Sequence, residues 1–351
     1  MKKFLRVLLI LLLVIIAAVG GLLGWLSAVE YRPEPVESLD FLRFSDEAVP
    51  VPEGAGLKIL SWNVGYAGLG KDSDFFMAGG KDARSADKAT VQQYLAGIGN
   101  LLNEGAYDFV MLQEVDTDSS RSYGINEARA LAFGTASFAY NYACPFVPVP
   151  VPPLGKVNSG LLSCSAYEVS EAERLSLPCP FSWPLRIANL KRCLLVSTLP
   201  IENSDKQLVL VNLHLEAYDD GEGKIAQTNQ LREFIESEYR KGNYVIAGGD
   251  FNQTFPGSLE VYPMRKADFW TPGVLDDSLL PEGWRFAYDT AAPSCRLLNQ
   301  PYDPGDSENT QYYVIDGFIL SPNVVLKEVH TLDLAFENSD HNPVELSVSL
   351  K

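Results

Sequence analysis

Six segments of this chain are apolar runs that carry polar side chains at or just beyond their ends. The polar residues are Asn63, Glu114, Asn212 with His214, Asp250 with Asn252, Asp316, and Asp340 with His341. In a layered α/β protein, the ends of strands can gather on one edge of the sheets, where ligands bind. A single polar residue at a strand end is more often a turn former or a cap. Six such clusters, which contain two of the chain's three histidines, indicate a common functional site.

The segment 244–253 shows this pattern most clearly. A short apolar run ends in two glycines, and Asp250 and Asn252 follow it. Alternation along an extended segment directs both side chains to the same side. A carboxylate that can accept a proton then lies beside an amide that can donate and accept hydrogen bonds, which suits the handling of a water molecule. The alternative is that Gly-Gly-Asp-Phe-Asn is only a turn, since these residue types are ordinary turn formers.

The N-terminus is almost wholly apolar from Val7 to Leu26, a length that spans the hydrocarbon core of a bilayer as a helix. Basic residues precede this run and glutamates follow it, so the positive-inside rule predicts a cytoplasmic N-terminus and an extracytoplasmic catalytic domain. The alternative is a cleaved signal peptide, with Ala18-Val19-Gly20 as its cleavage site. Because the apolar run continues past that site, the sequence favours an uncleaved, single-pass anchor in the cell membrane.

These patterns divide the chain into three parts. Residues 1–29 are predicted to form a cytoplasmic stub and a transmembrane helix, and residues 30–56, rich in proline and glutamate, a linker. Residues 57–351 are predicted to form one catalytic domain, long enough to bury a large core. The predicted elements of this domain are the strands 57–64, 108–115, 160–163, 193–197, 207–215, 244–250, 312–320 and 344–348, and the helices 88–103 and 224–240. The proline-rich residues 147–153 are predicted to form an extended surface loop, either a spacer or an apolar lip of the site.

Charge and cysteine usage argue against two kinds of site. The formal net charge of −17 disfavours binding of nucleic acid through many phosphate contacts, because proteins that bind in this way normally present a basic face. A local basic patch stays open as an alternative. The five cysteines include no Cys-x-x-Cys pair and no zinc-like spacing to the histidines, which disfavours a structural metal site. Their odd number leaves at least one thiol free or paired with another chain.

Seven short motifs follow one another from about residue 57 to residue 350. They are Trp62-Asn63-Val64, Leu112-Gln113-Glu114-Val115-Asp116, Gly160-Leu161-Leu162-Ser163, Val211-Asn212-Leu213-His214-Leu215, Gly248-Gly249-Asp250-Phe251-Asn252, Ile315-Asp316-Gly317 and Ser339-Asp340-His341-Asn342-Pro343. In this order they resemble the motifs of the endonuclease/exonuclease/phosphatase superfamily, which includes DNase I, AP endonucleases, neutral sphingomyelinases and inositol-polyphosphate 5-phosphatases. The resemblance implies an α+β fold, a four-layer α/β/β/α sandwich of the DNase I type, in which two mixed sheets pack face to face under outer helices. It is specific for the superfamily and not for a substrate.

The resemblance also implies metal-dependent hydrolysis of phosphoesters. Glu114, with Asn63 beside it and Asp340 completing the site, is the expected ligand set for Mg²⁺, with Mn²⁺ as a substitute, since hard oxygen donors suit these ions. Asp250 is expected to orient or deprotonate the attacking water. Asn252 is expected to hold that water or a phosphate oxygen.

The two motif histidines are expected at the phosphoryl group. His341 would contact that group and would be oriented by Asp316, since an acidic partner fixes the tautomer of an imidazole. His214 would be a second imidazole near the phosphate, either a donor to its oxygens or an acid for the leaving group. Asn212, on the same strand, is a further candidate for substrate binding.

The sequence therefore predicts a membrane-anchored, Mg²⁺-dependent phosphoesterase that works as a monomer on a phosphodiester or phosphomonoester. The anchor and the acidity favour a lipid headgroup or a small phosphorylated molecule as substrate. One departure bears on the substrate: many relatives place a basic residue and an aromatic after Gly160-Leu161-Leu162-Ser163, whereas Cys164-Ser165 follows here, which leaves a phosphate contact at that position open. The alternatives are an extracytoplasmic nuclease and, from another class, a catalytically silent binding module on the same scaffold.

Overall fold

The computed structural model describes residues 2–44, 48–84, 87–219, 221–267, 269–306 and 308–351. Its helices are α1 (Lys2–Ala28), α2 (Lys88–Glu104), α3 (Glu127–Leu131), α4 (Glu222–Arg240) and α5 (Ser258–Val261), with short 3-10 helices at Gly65–Ala67, Phe76–Ala78, Leu185–Ala188 and Asp277–Leu279. Its strands are β1 (Val36–Ser38), β2 (Phe41–Arg43), β3 (Gly56–Asn63), β4 (Phe109–Asp116), β5 (Thr135–Val147), β6 (Gly155–Ser165), β7 (Glu171–Ser176), β8 (Cys193–Pro200), β9 (Gln207–His214), β10 (Tyr244–Asp250), β11 (Gln253–Thr254), β12 (Gly273–Val274), β13 (Arg285–Ala287), β14 (Cys295–Arg296), β15 (Tyr312–Tyr313), β16 (Asp316–Leu320), β17 (Val324–Thr331) and β18 (Val344–Leu350).

Within the described residues, most strands belong to two seven-stranded sheets. One sheet has the order β1-β7-β8-β9-β10-β16-β13 and the other the order β17-β18-β3-β4-β6-β5-β2. Both sheets are mixed, because β9 and β10 run parallel in the first and β3 and β4 run parallel in the second. The other neighbours in both sheets are antiparallel. Outside these sheets, β11 pairs with β12 and β14 with β15.

The two sheets pack face to face, and helices cover their outer faces. Along β3, Ile59 joins a buried cluster that it shares with β10 and β16 of the other sheet, whereas Leu60 joins the cluster beneath α2. This alternation follows from the period of two in a strand. On the opposite side of the molecule, Leu231 and Ile235 of α4 pack on the outer face of the first sheet. The predicted four-layer α/β/β/α sandwich is therefore confirmed.

Three predicted segments differ from the structure. The predicted strand 312–320 is divided into β15 and β16, because β15 pairs with β14 whereas β16 pairs with β10. Of the predicted loop 147–153, Val147 still belongs to β5, and the loop comprises residues 148–154. The predicted linker 30–56 contributes β1 and β2, which pair with β7 and β5 at the edges of the two sheets. This segment therefore lies partly against the domain and is not a free tether throughout.

Helix α1 is long and apolar enough to cross a membrane, and its C-terminal end contacts the domain. Leu26 is buried in a cluster with residues of β5, β6 and the 3-10 helix Leu185–Ala188. Just after the helix, the side chain of Glu30 is 1% exposed, with Arg186 Nε at 2.9 Å and Lys191 Nζ at 3.5 Å. These contacts fix the end of α1 beside the domain, while most of its other apolar side chains are exposed.

Gly249 allows β9 to approach β10 closely just before Asp250. A Cβ atom at this position would lie 1.9 Å from the carbonyl oxygen of Leu213. We expect Gly249→Ala to lower the free energy of unfolding by about 3 kcal/mol, because backbone would have to move. Urea unfolding followed by circular dichroism measures the change. The matched control is Gly54→Ala, since φ is also positive there but no atom lies within 4 Å of the added carbon; equal losses in both variants would contradict the explanation.

Candidate active site

The ends of β9 and β10 and the start of β16 place three of the predicted site residues side by side. In the sheet register, Asp250 is opposite His214 on the parallel neighbour and opposite Asp316 on the antiparallel neighbour. Because β16 runs antiparallel to β10, the start of β16 lies at the edge where β10 ends. Asp316, predicted within a strand 312–320, therefore begins β16.

Asp250 lies at the centre of the site. Its Oδ2 is 3.0 Å from Asn63 Nδ2, 3.3 Å from His214 Nε2 and 3.8 Å from His341 Nε2. Burial and the nearby carboxylate of Asp316 raise the pKa of Asp250 to about 7. A buried carboxylate with this pKa is suited to accept a proton near neutral pH.

His341 is held by Asp316. The Nδ1 atom of the imidazole is 2.8 Å from Asp316 Oδ2, and Ser294 Oγ donates to the same oxygen at 2.7 Å. Burial disfavours the charged imidazole, but the charge and hydrogen bond of Asp316 together with those of Cys295 outweigh this effect, and the pKa of His341 is raised well above its usual value. Polar atoms of Asp250, Asp316 and His341 all lie within 4.8 Å of one another. The structure thus brings together the predicted imidazole and its predicted acidic partner.

The pKa of His214 is shifted in the opposite direction to that of His341. Burial lowers the pKa of His214 well below its usual value, and the positive charges of Arg192 and His341 add to this effect. Its Nε2 faces Asp250, whereas its Nδ1 is buried without a hydrogen-bond partner among the described residues. A neutral imidazole can donate one hydrogen bond and accept another, but it lacks the second N–H proton of the charged form. Of the two roles predicted for His214, hydrogen bonding to phosphate oxygens fits this state better than proton donation to a leaving group.

The predicted metal ligands Asn63, Glu114 and Asp340 lie at the same edge of the sheets. Asn63 Nδ2 is 3.3 Å from Glu114 Oε1, and the hydroxyl of Ser339, next to Asp340, donates to the carbonyl oxygen of Asn63 at 2.8 Å. Burial raises the pKa of Asp340 to about 6; the positive charge of His341 opposes this rise and the Glu114 carboxylate adds to it. The two neighbouring carboxylates are hard oxygen donors that fit a divalent cation, whose charge would relieve the repulsion between them. Asn63 instead directs its Nδ2 toward Glu114 and Asp250, and its Oδ1 accepts from the backbone N–H of Gly65 at 3.1 Å.

A bulge in β4 directs Glu114 into the site. The register between β4 and β6 shifts between Leu112 and Val115, and Glu114 has a φ of +54°. Regular alternation would place Glu114 on the same face as Leu112, which packs beneath α2. Bulges next to active sites often reorient a side chain in this way. Glu114 thus lies within β4, which corrects the prediction that it ends the strand.

Asn252 lies at the site, whereas Asn212 does not. Asn252 borders the cavity described below, and its Nδ2 donates to a backbone carbonyl oxygen at 2.9 Å. Asn212 is fully buried between the sheets, where Gln113 donates to its Oδ1 at 2.8 Å. Its Nδ2 donates to the carbonyl oxygens of Leu112 and Leu162. Because these bonds join the two sheets, the prediction that Asn212 binds substrate is wrong.

The sequence analysis missed Arg192 and Ser294. Arg192 borders the same cavity, its Nη1 donates to the carbonyl oxygen of His214 at 3.3 Å, and its Nε has no hydrogen-bond partner among the described residues. It directly precedes β8, whose start lies beside the end of β9 because the two strands are antiparallel. The useful signal is therefore a polar residue before an antiparallel strand, whereas the sequence analysis considered only polar residues after strands.

The site opens into a cavity of about 680 Å³. Glu114, His214, Asp250, Asp340 and His341 border its polar end. Volumes of this size are typical of sites for small molecules.

Comparisons with known proteins agree with this fold. The model of the Endonuclease/Exonuclease/phosphatase family matches residues 60–341. A solved endonuclease/exonuclease/phosphatase from Beutenbergia cavernae DSM 12333 has a TM-score of 0.55 at 17% identity, over 84% of this chain and 72% of that chain. Two further proteins of this description, from Bacteroides thetaiotaomicron and Bacteroides vulgatus, have TM-scores of 0.53 and 0.51 at 13% and 16% identity, over 85% of this chain and 99% and 100% of theirs. At these identities, the structural similarity supports the fold alone. No curated protein matches the chain.

Proposed function

The chain belongs to the endonuclease/exonuclease/phosphatase family, and on this premise we propose that it is a membrane-anchored, Mg²⁺-dependent phosphoesterase. Members of this family are metal-dependent hydrolases, so the chain is an enzyme that hydrolyses phosphoester bonds. The observation that carries the more specific proposal is the convergence of Asp250, Asp316 and His341 within 4.8 Å, beside the carboxylates of Glu114 and Asp340. The proposed substrate is a phosphodiester or phosphomonoester of a lipid headgroup or a small molecule.

Glu114 and Asp340 would hold the cation, and Asn63, the third predicted ligand, would hold Glu114 through its Nδ2. When bound, Mg²⁺ would supply the positive charge that neutralises the phosphoryl oxygens. Mn²⁺ is expected to substitute, because it also prefers hard oxygen ligands. The residues of the chain would perform the proton transfers and orient the substrate.

Asp250 takes a proton from the attacking water in this proposal. As the bond between the water oxygen and phosphorus forms, the bond between phosphorus and the leaving oxygen breaks. The leaving oxygen takes a proton from His341, which Asp316 favours in its charged form. Proton transfers of this kind typically contribute about 10² to 10⁴-fold to a rate.

The remaining polar groups bind the phosphoryl oxygens and the water. The Nε atom of Arg192 lies 3.7 Å from Glu216 Oε2, which is too far for a hydrogen bond. This Nε atom is buried and has no hydrogen-bond partner among the described residues. We propose that this guanidinium contacts a phosphoryl oxygen and so supplies the positive charge that Cys164-Ser165 does not. His214 would bind a second oxygen, and Asn252 would hold the water.

Helix α1 would anchor the enzyme in the cell membrane. Lys2, Lys3 and Arg6 precede its apolar run, which favours a cytoplasmic N-terminus and an extracytoplasmic catalytic domain. The apolar run continues past the alternative cleavage site Ala18-Val19-Gly20 as far as Leu26, which supports an uncleaved helix. We propose that the anchored enzyme is a monomer.

An assay of the full chain in detergent tests the function. The substrates would be bis-p-nitrophenyl phosphate, p-nitrophenyl phosphate, inositol phosphates, sphingomyelin and plasmid DNA, each with Mg²⁺ and with EDTA. We expect Mg²⁺-dependent hydrolysis of at least one phosphodiester or phosphomonoester other than DNA. Preferential hydrolysis of DNA would identify a nuclease, and no hydrolysis of any phosphoester would favour a binding module.

Glu114→Gln is expected to weaken metal binding. The substitution removes one of two neighbouring carboxylates from a hard-oxygen donor set, and we expect the Mg²⁺ concentration for half-maximal activity to rise at least about tenfold. Titration of Mn²⁺ by isothermal calorimetry provides a second measurement that does not require turnover. The matched control is Glu236→Gln, which removes a carboxylate on α4 that lies near Arg232 and Arg240. An unchanged metal affinity in Glu114→Gln would refute this ligand assignment.

A further inference from the structure

The cavity extends from the catalytic groups to the end of α1. Leu23 and Leu26 of that helix border it, together with Phe75, Leu154 and Ile187. One cavity therefore joins the site of phosphoester chemistry to the segment that is apolar enough to cross a membrane. Walls of this kind favour alkyl groups, because binding removes apolar surface from water.

The rim of this cavity is apolar and exposed. Met77, Val149 and Leu185 border the cavity and are 50%, 60% and 69% exposed. Trp183 lies close to Leu185 in the chain and donates from Nε1 to Ser27 Oγ at 3.1 Å, at the end of α1. Tryptophan is enriched where proteins cross from the hydrocarbon region to water. An exposed apolar patch marks a contact surface, and its position beside α1 makes the bilayer the surface that covers it.

We propose that the substrate is a membrane lipid phosphoester whose alkyl chains enter this cavity from the bilayer, along the end of α1. The inference rests on the proposed phosphoesterase function and names its substrate class. Helix α1 is then one wall of the substrate site as well as the anchor. The phosphoryl group reaches Asp250 and His341, while the alkyl chains contact Leu23, Leu26 and the other apolar walls. A polynucleotide has no alkyl chain to occupy such walls, and a net charge of −17 opposes its approach.

The test uses the methyl and hexyl esters of p-nitrophenyl phosphate and dioleoylphosphatidyl-p-nitrophenol, called the phosphatidyl ester below, which share one leaving group and differ in their apolar part. The full chain is reconstituted in phosphatidylcholine nanodiscs, and the release of p-nitrophenol is measured with Mg²⁺. The variant is Val149→Asp/Leu185→Asp, which adds charge to the exposed rim. The matched control is Val261→Asp/Leu42→Asp, since these residues are 52% and 46% exposed and do not border the cavity.

We expect kcat/KM to rise at least about tenfold from the methyl to the hexyl ester, since each buried methylene strengthens binding. In the rim variant, kcat/KM should rise much less from the methyl to the hexyl ester, and kcat/KM for the phosphatidyl ester should be at least tenfold lower than in the unmodified chain. The value for the methyl ester should stay within twofold of that of the unmodified chain. The control variant should keep all three rates. Equal kcat/KM for the methyl and hexyl esters, or equal losses in the rim and control variants, would overturn the lipid inference and leave the phosphoesterase intact. Hydrolysis of the hexyl ester but not of the phosphatidyl ester would identify a soluble amphiphile as the substrate, and this result would also overturn the lipid inference.

A binding measurement separates this inference from the proposed function. Methylphosphonate and hexylphosphonate resist hydrolysis, and their binding to the full chain is measured by calorimetry after subtraction of empty nanodiscs. We expect at least tenfold tighter binding of hexylphosphonate, and loss of this difference in Val149→Asp/Leu185→Asp. Failure to hydrolyse any ester would refute the phosphoesterase, whereas equal binding of the two phosphonates would refute the alkyl site.

Discussion

Asp250→Asn is expected to lower kcat by about 10³-fold, the typical contribution of a positioned general base. The substitution keeps the size of the side chain and an oxygen that can accept the hydrogen bond from the backbone N–H of Asn252, which is 2.8 Å long in the unmodified site. It removes the carboxylate that faces His214 Nε2 at 3.3 Å and His341 Nε2 at 3.8 Å. Because Asn cannot accept the proton of the attacking water, KM should change little and the loss should lie in kcat.

Steady-state kinetics on bis-p-nitrophenyl phosphate with Mg²⁺ measure this effect. Asp289→Asn is the matched control, since Asp289 also pairs with a histidine, His330, at 3.2 Å, but at a position where His330 is 53% exposed. Circular dichroism should show that both variants fold. A value of kcat for Asp250→Asn within threefold of that of the unmodified enzyme would exclude Asp250 as the base.

Asp316→Asn is expected to lower kcat by about 10² to 10³-fold through His341. The carboxylate accepts from Ser294 Oγ at 2.7 Å and lies 2.8 Å from His341 Nδ1. Its negative charge favours the charged imidazole, and its oxygen fixes the tautomer. An asparagine in its place can present an N–H group to Nδ1 and supplies no charge. His341 should therefore be less often protonated and less well oriented.

A double-mutant cycle distinguishes this positioning role from a general loss of structure. If Asp316 acts through His341, the variant Asp316→Asn/His341→Ala should be about as active as His341→Ala alone, because two residues that act as a unit are not additive. His330→Ala is the control for the removal of an imidazole. Multiplicative losses in the double variant would show that Asp316 does not act through His341.

The apolar patterns predicted α2, α4 and the central strands because these patterns are local, whereas the four layers were implied by the resemblance of the motifs. Alternation in β3 sends Ile59 to one face and Leu60 to the other, and the apolar stripe of α2 covers the second of these faces. The broken segment 312–320 could not be predicted in this way, because its sequence does not reveal that β15 and β16 pair with different strands.

The sequence also supplied most of the candidate site, and it did so by one rule. Polar residues that follow apolar strands led to Asn63, His214 and Asp250, since the ends of parallel neighbours lie at one edge of a sheet. The same rule included Asn212 wrongly. Asn212 and His214 lie on the same face of β9, but Asn212 is farther from the strand end and is held between the two sheets by Gln113. The rule omitted Arg192 and Ser294, because residues before antiparallel strands or within loops reach that edge only through topology.

The order of the motifs and the types of their side chains were sufficient to determine the family, the layered sandwich and the phosphoester chemistry. Tertiary packing alone decided three further features: the bulge that directs Glu114 into the site, the hydrogen bond from Ser294 to Asp316, and the position of Leu23 and Leu26 in the wall of the cavity. The physical reason is distance along the chain. Periodicity and turn chemistry act over a few neighbouring residues, whereas each of these features depends on contacts between segments that only the packing of sheets and helices brings together.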